Sequence, residues 1–218
     1  MSETPFSPSD EQAMRLALDQ AHNAWLVGEV PVGAVIMREG QVIATGYNRP
    51  ITTHDPSAHA EMVALRHAAL LLENYRLPEC ELFVTLEPCA MCAMALLHAR
   101  FRRVVFAAPD PKTGAAGGVV DLFAERQLNH HTRLQGGLMA EAGGRLLRDF
   151  FAERRAQQRA LRLARQGASP SGTGPVETGP IPTGEAQEWP VSRPTPLDGT
   201  DSESDRKSTR LNSSHGYI

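Results

Sequence analysis

Hydrophobic positions along the first third of the chain change period twice, and each change marks an element. Met14, Ala17, Leu18, Ala21, Ala24 and Trp25 recur at i, i+3, i+4 and i+7, the spacing of a buried helical face. Ser7-Pro8 opens that helix, with Ser7 as cap and Pro8 at the first helical position, where a missing N–H costs nothing. Two short apolar runs at 32–37 and 42–46, separated by Glu39-Gly40, then predict a hairpin with a glycine-containing turn. A helix follows over 59–72, with Met62, Leu65, Ala69 and Leu72 on its apolar stripe. Next come a strand at 81–86, a helix at 89–100 and a strand at 103–106, then a last short strand at 132–135 and a long helix from 138 to about 163. Strands alternating with helices of this length imply a largely parallel sheet with helices on both faces.

Beyond residue 166 the apolar period stops, and Gly, Pro, Ser, Thr and acidic residues dominate. Such a segment cannot bury enough apolar surface to offset ordering, so it reads as a disordered tail. The chain therefore divides into a folded domain at 1–160, an acidic tail at 161–205 and a stretch at 206–218 that resembles a non-native scar. The net charge of −3 hides an asymmetry. Seven arginines lie within 145–165 against Asp149 and Glu153, whereas 177–205 holds seven acidic residues against Arg193. No apolar run reaches the roughly 18 residues of a membrane span, and the polar N-terminus lacks the regions of a signal peptide. The three cysteines make no disulfide scaffold; thiolate metal ligands fit a reducing cytoplasm.

Chemistry concentrates in Leu86-Glu87-Pro88-Cys89-Ala90-Met91-Cys92 and in His59-Ala60-Glu61. Cys89 and Cys92, three apart on a helix, share a face, and the helix N-terminus favours their thiolates. His59 supplies a third ligand. Cys80 lies nine residues before Cys89, which fits no usual ligand spacing, and reads as a small buried filler. Structural zinc sites close with four protein ligands, whereas catalytic sites keep three and an open position, so three ligands point to catalysis. Glu61 is placed to act as general base beside that position. His54, in an extended loop before Pro56, competes with His59 as a ligand, and the spacing to Glu61 favours His59. His67 reads as a solvated histidine. The Gly- and Ala-rich stretch at 109–118 superficially resembles a phosphate-cradling loop but lacks the Gly-Lys-Ser/Thr motif, which argues against nucleotide hydrolysis. By default Asn48 and Asp110 are loop and turn residues.

His-x-Glu followed by Pro-Cys-x-x-Cys is the signature of zinc-dependent nucleobase deaminases. Further runs narrow the likeness: Glu29-Val30-Pro31-Val32-Gly33-Ala34, Gly46-Tyr47-Asn48-Arg49-Pro50, His54-Asp55-Pro56, Asp110-Pro111-Lys112-Thr113-Gly114-Ala115-Ala116-Gly117, Asn129-His130 and Asp149-Phe150-Phe151. From about residue 9 to about 156 the chain resembles bacterial tRNA adenosine deaminases of the TadA type. The resemblance implies a three-layer α/β/α cytidine-deaminase-like fold with a central mixed sheet of about five strands. It implies one Zn2+ per subunit on His59, Cys89 and Cys92, with Glu61 shuttling protons. It implies hydrolytic conversion of adenosine to inosine at the first anticodon position of a tRNA, the arginine tRNA with anticodon ACG, by a cytoplasmic homodimer. Residues matching the substrate-binding positions are Val32, Asn48, His54, Ala60, Asp110, Asn129 and Phe151. The chain departs from the pattern at Pro109 and in its long tail. Two rivals stand beside this expectation. A deaminase of free cytosine- or guanine-type bases or nucleosides would keep the zinc residues without needing the basic, aromatic last helix. A non-catalytic zinc-stabilised RNA-binding module would have no use for Glu61.

Overall fold

Ser7 begins the first helix as expected. Its hydroxyl accepts the Asp10 N–H (3.2 Å) while the Asp10 carboxylate accepts the Ser7 N–H (2.9 Å), a reciprocal capping box. The resulting helix, α1 (Pro8–Leu26), buries Ala13, Met14, Ala17, Ala21 and Ala24. The computed structural model describes residues 5–167, so all but the first seven residues of the tail assigned to 161–205, and the whole stretch at 206–218, lie outside it. Strands β1 (Gly33–Arg38) and β2 (Gln41–Tyr47) form the expected hairpin. Glu39 and Gly40 both take positive φ (51° and 77°), the two-residue turn whose twist matches the flanking strands. There follow α2 (Pro50–Thr53), α3 (Ala60–Leu71), β3 (Cys80–Leu86), α4 (Ala90–His98), β4 (Arg103–Ala108), β5 (Arg133–Gly136) and α5 (Ala140–Gly167).

The strands form one five-stranded sheet in the order β2-β1-β3-β4-β5. β1 is antiparallel to both of its neighbours, while β3, β4 and β5 run parallel. The sheet is therefore mixed. Periodicity alone suggested a largely parallel sheet, but the tight hairpin forces one antiparallel pair and the return through α2 and α3 makes the second. Alternate residues of each strand face opposite layers. Ala34, Ile36, Leu82, Val84 and Val104 pack with α3 and α4, whereas Val35, Phe83 and Val105 pack with α1 and with Leu138, just before α5.

The buried stripe of α3 is Ala60, Val63, Ala64 and Ala68, rotated from the expected Met62–Leu65–Ala69–Leu72 stripe. Small residues are on the inside because α3 rides close against β2. A Cβ on Gly46 would lie 2.5 Å from the Ala60 carbonyl oxygen and 2.6 Å from the Ala64 nitrogen. Weighting the large side chains missed this.

At the far end of the sheet, Arg103 forks onto Asp10 with two 2.9 Å bonds and donates through Nε to Gln135 (2.7 Å), welding α1 to β4 and β5. Helix α5 runs through the 160/161 boundary drawn from composition, and every position from 151 to 165 is exposed. Among the described residues no helix is long and apolar enough to cross a membrane.

Candidate active site

Two helices begin at the same point. His59 is the N-cap of α3 and Cys89 the N-cap of α4, both with extended backbone, and Cys92 lies in the first turn of α4. The two cysteines meet because N-cap and N3 side chains converge at a helix start, not because both lie within the helix. His59 Nδ1 lies 3.7 Å from Cys89 Sγ and 3.6 Å from Cys92 Sγ. A tetrahedral zinc with bonds of about 2.3 Å to sulfur and about 2.0 Å to nitrogen requires N···S edges of about 3.6 Å. Both N···S edges of the triad already match that length. Among the described residues these three form the group able to hold a metal, and Cys80 is a buried thiol outside it. His54 is exposed at the left-handed C-cap of α2 and is no ligand. His67 is exposed, with Nδ1 3.3 Å from the Thr45 carbonyl.

The electrostatics favour thiolates. Both helix N-termini aim their positive ends at the triad, which stabilises negative charge on its sulfurs. The hydrogen bond from Cys92 pushes the Cys89 thiol down to about 4, with burial opposing and the His59 bond helping. That same bond and burial hold Cys92 well above the usual thiol range, and the bond to Cys89 raises His59. The cluster thus holds protons that a divalent ion displaces on binding. Two sulfurs and one imidazole are the donor set that suits zinc, and the cluster fits one zinc per subunit.

Glu61 sits in the first turn of α3, two residues beyond His59, and is 4% exposed. Burial pushes its carboxyl up to about 7, against smaller opposing effects from its own backbone and from His59. A carboxyl poised there both takes and gives a proton near neutral pH.

The walls of the site are tied to the triad by backbone bonds. Asn48 Oδ1 accepts the N–H of Ala60 (2.9 Å), the first residue of α3, and the Asn48 N–H bonds to the Val32 carbonyl (3.0 Å). Because a backbone N–H only donates, the Asn48 oxygen is fixed inward and its amide NH2 is the remaining end. Val32, Asn48 and Ala60 are therefore brought together beside His59 and Glu61. Glu29, 1% exposed, accepts the Thr52 N–H (2.7 Å) and anchors α2, which carries His54 at its end. Glu87, 3% exposed, accepts backbone N–H groups from Asp110 (2.8 Å), Ala116 (2.9 Å) and Gly118 (2.8 Å). Asp110 spends both carboxylate oxygens in its own turn, on the Lys112 N–H and the Thr113 hydroxyl. Those bonds hold the carboxyl low although burial acts the other way. Sequence reasoning missed Glu29 and Glu87. Both stood inside quoted motifs, but nothing in a sequence marks a carboxylate as a buried acceptor of backbone N–H groups.

Residues 7–108 match the cytidine and deoxycytidylate deaminase zinc-binding region. The tRNA-specific adenosine deaminase of Haemophilus influenzae is 45% identical over 154 residues, spanning 70% of this chain and 89% of that protein. The chain belongs to the tRNA-specific adenosine deaminase family. A structure from work on A-to-I editing by tRNA:A34 deaminases at the wobble position superimposes with a TM-score of 0.61 at 41% identity, over 62% of this chain and 99% of that one. A guanine deaminase from Nitrosomonas europaea superimposes with a TM-score of 0.55 at 26% identity, over 69% of this chain and 87% of that one. The three-layer mixed α/β fold is thus that of the cytidine deaminase superfamily.

Within this family member one expected substrate residue, Asn129, lies away from the triad. Asn129 lines an exposed cavity with Met94, Leu97, His98 and Arg100 at the C-terminal half of α4, the end opposite Cys89 and Cys92. Phe151 stands on α5, 44% exposed, edge-on to Phe150 at 5.4 Å. Phe150 is buried against Trp25 (5.6 Å, T-shaped). Adjacent helical positions point in different directions, so one ring packs and its neighbour faces solvent.

Proposed function

We propose that this chain is a zinc-dependent hydrolytic deaminase converting adenosine to inosine at the wobble position of tRNA, with the arginine tRNA of anticodon ACG as its first substrate. The observation that carries this reading is Glu61. A buried carboxyl beside a three-ligand metal site has a use in hydrolysis and none in a structural zinc site. When bound, zinc supplies Lewis acidity that brings the pKa of water down to roughly 7.

The chain's own groups do the rest. His59, Cys89 and Cys92 would hold the metal. Glu61 takes a proton from the attacking water and hands it to the adenine ring nitrogen, which makes carbon 6 electrophilic. A second delivery by Glu61 lets the amino group leave, so adenosine and water become inosine and ammonia. Asn48, its oxygen engaged by Ala60, offers its NH2 to an acceptor on the purine edge. The base must leave its stack to reach this pocket, which is easiest in a single-stranded loop.

Several features support an RNA substrate over a free base. Phe151 offers an exposed ring for stacking, next to the arginine-rich face of α5. Asp110 shapes one wall through its turn, and His54 lies at the exposed end of α2 on another. Asn129, remote from the triad of its own subunit, contributes through RNA outside the pocket or through the site of a second copy. A homodimer is proposed on the family resemblance, supported by the exposed Met91, Val119 and Val120 on the segments flanking Cys89. Cytoplasmic location follows from the tRNA substrate and from the thiolate ligands.

The test is incubation with arginine tRNA and with other tRNAs carrying adenosine at the wobble position, scored for inosine by mass spectrometry, with Glu61→Ala alongside. Inosine at that position, absent with the variant, is expected. Activity that survives the loss of Glu61 overturns the assignment of the base.

A further inference from the structure

The glycine-rich loop at 110–118 cradles an anion after all, and the anion is the chain's own. Glu87 Oε1 accepts the N–H groups of Ala116 and Gly118, and Oε2 accepts that of Asp110. The fit is too close for side chains. A Cβ on Gly114 would lie 2.4 Å from the Glu87 carboxyl carbon, and one on Gly118 would lie 2.6 Å from Oε2 and 2.5 Å from the Asp110 carbonyl oxygen. The wrapped loop then returns to the metal site. Ala115 N–H bonds to the Pro88 carbonyl (2.8 Å), and Gly114 pairs with Cys89 in an isolated β-bridge. The backbone of a zinc ligand is thus held between β3 and a loop whose shape is set by the residue two before that ligand.

We propose that Glu87 is a positioning residue for the metal site: its carboxylate fixes the 110–118 loop, and the loop fixes the direction of the Cys89 thiolate. The inference rests on the zinc reading of the triad and is independent of which substrate is deaminated. Outer partners that orient ligands commonly govern metal retention as well as activity. Here the partner acts through backbone instead of through the sulfur.

Glu87→Gln keeps the shape. Its amide oxygen still serves Ala116 and Gly118, but its NH2 meets the Asp110 N–H donor to donor, so one of three bonds is lost. Gly118→Ala attacks the same joint from the loop side with Glu87 intact. The readouts are zinc transfer to a chromophoric chelator and the visible spectrum of the cobalt(II)-substituted protein, neither of which requires tRNA. Each variant should lose zinc affinity by about tenfold and shift the cobalt bands, and the double variant should be no worse than the poorer single one. Unchanged zinc transfer and an unchanged cobalt spectrum, even with a lower melting temperature, would show Glu87 to be merely structural and overturn the proposal. Should neither variant fold, the wild type still decides. Coupling is reciprocal, so stripping zinc should speed amide hydrogen exchange at Ala115, Ala116 and Gly118. Unchanged protection there would equally sink it.

Discussion

Gly46→Ala adds one methyl group on β2, and the structure says where it would go. The new Cβ would sit 2.5 Å from the Ala60 carbonyl oxygen, 2.6 Å from the Ala64 nitrogen and 3.1 Å from Val63 Cβ. Two of these neighbours are helix backbone, which cannot swing aside as a side chain would. Helix α3 must retreat by about 0.5 Å to clear the shortest separation a Cβ tolerates, and by about 0.9 Å for ordinary contact. Overpacking of this kind costs about 1–3 kcal/mol. The catalytic cost is separate, because α3 starts at His59 and carries Glu61 in its first turn. A misplacement approaching 1 Å at reacting groups lowers kcat by roughly 100-fold. Asp10→Asn is the control, a comparable destabilisation of about 3 kcal/mol from breaking a buried ion pair at the far end of the sheet. Denaturant unfolding gives the stabilities, and steady-state deamination of an anticodon stem-loop gives kcat. Gly46→Ala should lose stability and kcat together, whereas Asp10→Asn should lose stability alone. If Gly46→Ala keeps wild-type kcat, or Asp10→Asn loses as much, the claim that β2 sets the position of α3 for catalysis is wrong.

Glu61→Gln removes the proton shuttle and leaves the ligands alone, so turnover should fall by at least about 1,000-fold while zinc stays at one per chain by elemental analysis. Loss of the metal along with the activity would mean that Glu61 supports the site instead of acting in it. Phe150→Ala should cost about 3–5 kcal/mol in unfolding, as for other buried aromatics. Phe151→Ala should leave unfolding nearly unchanged and weaken stem-loop binding by about 1–3 kcal/mol, the worth of one stacked base. Reversal of the two phenotypes would refute the division between packing and stacking. Burial acts to raise the Asp10 carboxyl, but its bonds from Arg103 and Ser7 outweigh this and hold it below the ordinary carboxylate value. A depressed pKa stabilises above the unfolded value of about 3.9 and is lost as pH falls through the folded one. The stability gap between wild type and Asp10→Asn should therefore be full at pH 7 and shrink below about pH 4. A gap that grows in acid would reverse the sign of the linkage.

Much of this was legible in the residues because their signals are local. Ser7-Pro8, Glu39-Gly40 and the Pro-Cys-x-x-Cys run each fix backbone geometry within a few positions, so the cap, the hairpin turn and the metal helix emerged where periodicity placed them. Strand direction was less legible. Nothing in the apolar runs at 81–86 or 103–106 says which neighbour a strand takes, so the antiparallel β1–β3 pair came from the structure. The stripe of α3 was misjudged because Ala60, Ala64 and Ala68 look weaker than Met62 and Leu65 until Gly46 is seen opposite them. In the sequence, only the resemblance singles out Asn48. Its grip on the Ala60 N–H supplies the physical reason, since an oxygen fixed inward commits the amide NH2 to the other side. Glu87 escaped notice because its partners are backbone groups 23 to 31 positions away.

The central claim is that this metal site deaminates adenosine inside an RNA loop. One competition tests it most directly: an anticodon stem-loop with adenosine at the wobble position, free adenosine, free cytidine and free guanine, all present with the zinc-loaded enzyme and followed by mass spectrometry. Inosine should form in the stem-loop while the free compounds remain. Xanthine from guanine, with the stem-loop untouched, would contradict the account and place the chain with the free-base deaminases that share its fold.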